Sequence, residues 1–244
     1  KGGAAVNALE IRNLTKRFGD RAAVDNLSLE VPEGGALALL GLNGAGKTTT
    51  LKLAAGLLPA DSGEVFVMGH PAGSPEARAA LGLSPQESAV AENLTVWENL
   101  ELMAGVRGMD KDHARRAAES ALGELGLQEV RSQRAKRLSG GWKRRLSIAM
   151  ALLGNPAVLA LDEPTLGLDV LARRELCGRI RALRGRAALI LTTNDLGEAE
   201  QLADRIAVLS HGRLAALGTT GELMARAGAA SFEDAFVRLA GGEG

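Results

Sequence analysis

Ala36-Leu-Ala-Leu-Leu40, followed at once by Gly41-Leu-Asn-Gly-Ala-Gly46-Lys47-Thr48, decides the fold. Five consecutive apolar residues read as a strand buried on both faces, the habit of a parallel sheet covered by helices. The next eight residues fit G-x-x-x-x-G-K-[ST] and lie between that strand and a helix predicted over 48–58. Glycines let the backbone curl so that successive N–H groups face a phosphate, and the helix N-terminus adds positive potential. Lys47 is placed to bridge outer phosphates and Thr48 to offer its hydroxyl to Mg²⁺. The expected phosphate-binding set is Gly41, Asn43, Gly44, Ala45, Gly46, Lys47, Thr48 and Thr49. The competing reading is a plain glycine turn capping a helix.

Outward from this stretch, short strands are predicted at 9–12 and 27–31 before it and at 64–68 after it, with Pro59 and Asp61-Ser-Gly63 stopping the intervening helix. From 94 to 153 the pattern turns helical, with charges concentrated in 110–116 and 131–137. Apolar strands return at 157–161, 187–192 and 206–209, separated by helix-forming sequence. That alternation predicts an α/β core whose parallel sheet takes strands from both ends of the chain and carries a helical insertion. No repeat of solenoid period is visible.

One returning strand, Val158-Leu-Ala-Leu-Asp162-Glu163-Pro164, ends in two adjacent carboxylates. Neighbouring strand residues point to opposite faces, so Asp162 is assigned to Mg²⁺ and Glu163 to general-base attack by water. Acids at a helix N-terminus are the alternative.

Composition narrows the field. The 244 residues carry 29 Lys+Arg and 29 Asp+Glu, so nothing in the bulk charge favours nucleic acid or an anionic membrane, and no nucleic-acid partner is expected. The most apolar run, 148–161, is broken by Asn155 and Pro156, short of the ~20 residues a spanning helix needs. Any membrane crossing is therefore expected in another chain. Lone Cys177 forms no internal disulfide, no apolar leader follows a basic flank, and Lys1-Gly-Gly-Ala-Ala5 reads as a processed or appended end, so the cytosol is expected. His70, His113 and His211 lack ligand spacing, and no metal cluster is expected.

Between the phosphate loop and the acidic strand stands Leu138-Ser-Gly-Gly-Trp142, then Lys143-Arg-Arg and the amphipathic segment 146–153. With Gln86 after Pro85 and Gly167-Leu-Asp169 after the acidic strand, this order closely resembles the ATP-binding subunit of ATP-binding-cassette (ABC) transporters, over about 9–239. The resemblance implies a P-loop ABC ATPase over 6–230. Its core would be 6–86 and 155–230, with an N-terminal antiparallel β subdomain, a helical subdomain at 87–154 and a C-terminal tail at 231–244. It implies ATP and Mg²⁺ as ligands and head-to-tail packing of two subunits, a homodimer or a heterodimer. Ser139, Gly140 and Gly141 would then reach the partner's γ-phosphate, with Ser139 also capping its helix. By the same resemblance Phe18 stacks on adenine, with a buried core phenylalanine as the competing reading. Gln86 would touch Mg²⁺ or water and link to a transmembrane permease, against an ordinary Pro-Gln turn. Asp169 would cross the dimer interface. The permease is expected at 86–100, where Trp97 is either available to a coupling helix or packed inside the helical subdomain.

Two departures stand out. Trp142 replaces the usual Gln, which is expected to leave function intact. Asn194, in Thr192-Thr-Asn194-Asp195, replaces the usual γ-phosphate histidine. An amide donates a hydrogen bond but carries no proton or charge, so slower hydrolysis is expected; the bland reading is a helix N-cap. The end of the chain, from Ser231 to Leu239, resembles the tail of exporters of drugs, antibiotics, lipids or polysaccharides. The expected place of work is the cytoplasmic face of the cell membrane. Two other readings stay open: a nucleotide-gated module with a degenerate site, and a soluble non-transport ABC ATPase. Against the DNA-repair type, Thr48 and Ser139 are only 91 positions apart, with no sustained heptads between them.

Overall fold

The computed structural model describes residues 7–241; Lys1-Gly-Gly-Ala-Ala5 and the last three residues of the expected tail lie outside them. In chain order the strands are β1 (Asn7–Phe18), β2 (Arg21–Pro32), β3 (Ala36–Leu40), β4 (Ser62–Val67), β5 (His70–Pro71), β6 (Leu81–Ser84), β7 (Val158–Asp162), β8 (Ala188–Thr193), β9 (Arg205–Ser210) and β10 (Arg213–Gly218). The helices are α1 (Lys47–Ala54), α2 (Pro75–Ala80), α3 (Val96–Val106), α4 (Lys111–Leu125), α5 (Gly140–Leu152), α6 (Val170–Ala182), α7 (Leu196–Leu202), α8 (Thr220–Ala227) and α9 (Phe232–Gly241).

The central sheet runs β10-β9-β3-β8-β7-β6, parallel except for the antiparallel edge β10. Strand β3 sits inside it, between β8 and β9, which explains its unbroken apolar run. Ala36, Ala38 and Leu40 face one core with the helical region, while Leu37 and Leu39 face a second core. That second core is closed by an antiparallel sheet of order β2-β1-β4-β5. The α/β core, the antiparallel sheet near the N-terminus and the helical insertion are all present.

Helices α3 to α5 form that insertion. Thr95 and Glu98 make a reciprocal capping box at the start of α3. Asp110 caps α4, which ends at left-handed Gly126. The side chain of buried Asn99 pins the preceding loop, accepting from Ala91 N (2.7 Å) and donating to Ala91 O (3.1 Å) and Thr95 O (2.8 Å).

Several local expectations change. Helix α1 stops at Ala54, four residues early, because the chain turns at Gly56 with φ 65°. The segment 231–241 is no loose tail: Phe232, Ala235 and Ala240 of α9 are buried, and Ser210 Oγ donates to Ala240 O at 2.8 Å. Trp97 is not a free surface side chain; it packs against the core of the helical region with the Arg131 guanidinium 3.8 Å from its ring centroid. Among the described residues, no helix is long and apolar enough to cross a membrane.

Candidate functional site

Helix α1 starts at Lys47 with Gly46 as N-cap and no side-chain cap, leaving its first N–H groups to the cleft in front of them. Glycine is required at 46: its φ is 100°, and a Cβ there would lie 2.2 Å from Ala23 O. The cleft, of about 510 Å³, is lined by Phe18, Asn43, Gly44, Gly46, Lys47, Thr48, Thr49, Gln86, Glu163 and Asn194, together with Arg21, Ala23 and Leu166. Residues from five separate stretches of sequence therefore share one wall. Phe18 is 53% exposed, which removes the reading of it as a core residue.

At the mouth of the phosphate loop, Lys47 Nζ donates to Gly41 O (2.7 Å), Leu42 O (3.2 Å) and Asn194 Oδ1 (2.6 Å). Asn194 Nδ2 in turn donates to Glu163 Oε1 (2.7 Å) and Asn43 Oδ1 (3.1 Å), and Lys47 Nζ lies 3.8 Å from Glu163 Oε1. Asn194 thus bridges the lysine and the glutamate. Burial pushes the Lys47 ammonium down, opposed by Glu163 and Asp162. Burial likewise raises the Glu163 carboxyl above the ordinary glutamate range, opposed by Lys47 and reinforced by Asp162.

Behind the cleft, Asp162 Oδ1 accepts from Thr48 Oγ1 (2.9 Å) and Thr192 Oγ1 (2.6 Å). Glu163 leaves the strand with φ 48°, a left-handed conformation. Its N–H donates to Thr192 O (3.1 Å) and Thr192 Oγ1 (2.9 Å), so β8 fixes its origin. Thr48, Asp162 and Gln86 offer hydroxyl, carboxylate and amide oxygens, a hard donor set that fits Mg²⁺ sharing ligands with phosphates. Gly41 and Ala45 do not line the cleft; Gly41 supplies a carbonyl to Lys47, and Ala45 is buried beneath the loop.

Ser139, Gly140, Gly141 and Asp169 stand apart from this cleft. Ser139 is exposed at the N-cap of α5 but makes no side-chain cap bond, so the expected capping role fails. Asp169 caps α6, accepting from Ala172 N at 2.9 Å. Asn194 is not a helix cap either, for Asp195 performs that role with Glu198 N at 2.9 Å. Trp142 lies half-buried against the core with Arg145 over its ring at 4.6 Å, and Arg145 pairs with Glu175. Beside Gln86, a second groove of about 200 Å³ is lined by Leu57, Arg78, Pro85, Ala89, Met103 and Arg107, among others.

Sequence reasoning missed Arg21, whose Nη2 donates to Gly44 O at 2.9 Å from the cleft wall, and buried Arg144. Arg21 belongs to no spaced motif, and Arg144 stood in Lys143-Arg-Arg with no role assigned to it; each is recruited through space.

Residues 24–166 match the family described as ABC transporter. The chain is 43% identical over 224 residues to the daunorubicin/doxorubicin resistance ATP-binding protein DrrA of Streptomyces peucetius, covering 91% of this chain and 68% of that one. It is 38% identical over 221 residues to the phospholipid-transporting ATPase ABCA3 of Homo sapiens, covering 88% of this chain but only 13% of that one. Among solved structures it is similar to a dimeric post-hydrolysis state of the ATP-binding cassette MJ0796 bound to ADP and Pi. The TM-score is 0.77 at 25% identity, over 86% of this chain and 98% of that one.

Proposed function

The chain belongs to the ABC transporter family as an ATP-binding, ATP-hydrolysing subunit, and from that premise we propose that it is the motor of an exporter. The exporter reading draws support from its similarity to a drug-resistance ATP-binding protein and a phospholipid-transporting ATPase. Drug, antibiotic, lipid or polysaccharide cargo would touch the permease and not this subunit.

The observation that carries the hydrolytic mechanism is the Lys47–Asn194–Glu163 chain of hydrogen bonds at the mouth of the phosphate loop. Phe18 stacks on adenine; the loop from Gly41 to Thr49 cradles the phosphates, and Lys47 turns from its carbonyls to the outer phosphates. Mg²⁺, held by Thr48, Gln86 and Asp162, would neutralise phosphate charge. Glu163 takes the proton of the attacking water as its oxygen bonds the γ-phosphorus and the bond to the β-phosphate oxygen breaks. Asn194 holds the Glu163 carboxylate in place and donates towards the γ-phosphate, without the proton or charge an imidazole adds. Hydrolysis therefore runs below the rate an imidazole would allow.

Ser139, Gly140 and Gly141 reach the γ-phosphate on a second subunit, homomeric or heteromeric, and Asp169 lies at that interface. Their separation from the cleft of their own chain supports such a composite site. A transmembrane permease docks over 86–100 and the adjoining groove of Leu57, Ala89, Met103 and Arg107, holding the subunit at the cytoplasmic face of the membrane. On this reading the ATPase unit is 6–230 with its helical subdomain at 87–154, and α9 packs onto its core.

Phosphate release from Mg-ATP, followed against protein concentration, tests this directly. Release per subunit rises with concentration, and Glu163→Gln lowers it by at least about 10²-fold while ATP still binds. Undiminished release by Glu163→Gln would remove the general-base role.

A further inference from the structure

Arg144 is a guanidinium buried to 4% exposure on α5, five residues after Ser139. Its hydrogen bonds go to main-chain carbonyls and not to a carboxylate. Nη1 donates to Pro85 O (2.6 Å), and Nη2 donates to Glu163 O (2.6 Å) and Asp162 O (3.3 Å). Three parts of the site meet on this one side chain: the loop that carries Gln86, the strand end that carries Asp162 and Glu163, and the helix that begins at Ser139-Gly-Gly141.

We propose that Arg144 is a positioning residue for hydrolysis, clamping the backbone of Glu163 and the Gln86 loop onto the signature helix. The assignment rests on the general-base reading of Glu163. At Glu163 the left-handed φ of 48° takes the chain out of the sheet ladder; its carbonyl accepts from Leu166 N (3.2 Å) within the local turn, and the Arg144 guanidinium adds the tie to a different segment. Thr192 holds the N–H side of that residue and Arg144 holds the C=O side. With both ends of the peptide pinned, the carboxylate emerges at the one place where Asn194 and Lys47 reach it. A displacement of about 1 Å at such a base is enough to lower a rate by about 10²-fold, without contact between Arg144 and nucleotide. Lysine has one compact head and lacks the fork that spans carbonyls of two segments, so it replaces only part of the clamp.

Turnover at saturating Mg-ATP and ATP affinity by equilibrium dialysis are compared in wild type, Arg144→Lys and Arg144→Met. The expected result is a kcat lower by about 10- to 100-fold in Arg144→Met, partial recovery in Arg144→Lys, and ATP affinity within about threefold of wild type throughout. In a Glu163→Gln background, Arg144→Met lowers the residual rate by less than about twofold, because its effect passes through Glu163. Unchanged kcat in folded Arg144→Met, parallel loss of kcat and affinity, or an undiminished effect in the Glu163→Gln background would each overturn the proposal. If Arg144→Met does not fold, Arg144→Lys carries the same comparisons. A wild-type chain that binds ATP but releases no phosphate speaks against a hydrolysing homodimer and not against the clamp. Amide exchange over 84–88 and 161–166 then decides the clamp: faster exchange by about tenfold in the variant supports it, and unchanged exchange refutes it.

Discussion

At Asn194 a single side chain accepts from Lys47 and donates to Glu163 and to Asn43. Its geometry holds the Glu163 carboxylate, the proposed base, in place, but its chemistry is neutral. Restoring an imidazole supplies a transition-state donor that can carry charge, a contribution on the order of 10²-fold in rate. Asn194→His is thus expected to raise kcat, read as phosphate release at saturating Mg-ATP, whereas Asn194→Ala loses the remaining donor and falls below wild type. A histidine variant no faster than wild type would show that the amide is not rate-limiting. A second residue, Glu198, is 3% exposed with Oε1 unpartnered, and burial raises its carboxyl above the ordinary glutamate value against the pull of the Thr193 and Thr165 hydroxyls. Because the folded chain holds this proton to higher pH than the unfolded chain, stability from this group is present at low pH and is lost as pH rises through the raised value. Glu198→Gln removes that loss. Its urea midpoint relative to wild type should therefore climb as pH rises above the ordinary glutamate range, and a pH-independent difference would contradict the assignment.

Elements differed in how much of themselves the sequence declared. Strand β3 was legible to the residue because both of its faces are buried, and the phosphate loop because its function demands fixed residue types at fixed spacing. Only 9–12, near the start of β1, and 27–31, near the end of β2, were visible. Asn13 and Asn26 adopt positive φ and the register shifts between Ile11 and Leu14, so the alternation of burial is broken midway. Strands β6 and β10 were missed because Leu81-Gly-Leu-Ser84 is short and Arg213–Gly218 is a small-residue edge paired on one side. For the site, Phe18, Gln86, Asp162, Glu163 and Asn194 were each nameable from motifs, but the bonds joining Asn194 to Lys47 were not, being made across 147 positions of chain. Helix α3 shows how apolar periodicity misleads about surfaces: Val96, Leu100 and Ala104 serve the internal core, and Trp97 joins them. Asn99 is the polar counterpart of that packing. Asn99→Ala leaves Ala91 N–H and two carbonyls without their partner and should destabilise the chain by about 2 kcal/mol, read from denaturant midpoints. A loss below about 0.5 kcal/mol would mean that water replaces the amide.

At the scale of the whole molecule, the unsolved geometry is the distance between two half-sites on one chain. The phosphate loop and Glu163 share a cleft, while Ser139, Gly140 and Gly141 sit at the start of α5 outside it. In the proposed head-to-tail pair two-fold symmetry would resolve this, each cleft meeting the other subunit's signature. The arrangement makes a prediction that no single-subunit site can imitate. Lys47→Ala removes a chain's own phosphate site, and Ser139→Arg blocks the signature it lends to its partner. Each variant alone forms dimers in which both composite sites are defective. In a mixed dimer, one site receives both defects and the other receives an intact loop from the Ser139→Arg chain and an intact signature from the Lys47→Ala chain. In an equimolar mixture half of the dimers are mixed and each has one working site of two, so phosphate release should return to about a quarter of wild type if the sites act independently. Obligatory coupling between the two sites lowers that fraction, and its size then measures the coupling. Complete absence of recovery, with mixed dimers verified by crosslinking and each variant folded, would show either that one intact site is powerless alone or that the signature acts within its own chain. Where release does recover, a Glu163→Gln mutation placed in only one partner identifies which site is working. If release recovers without that mutation, it must vanish when the mutation sits in the chain with the intact loop, and persist when it sits in the other.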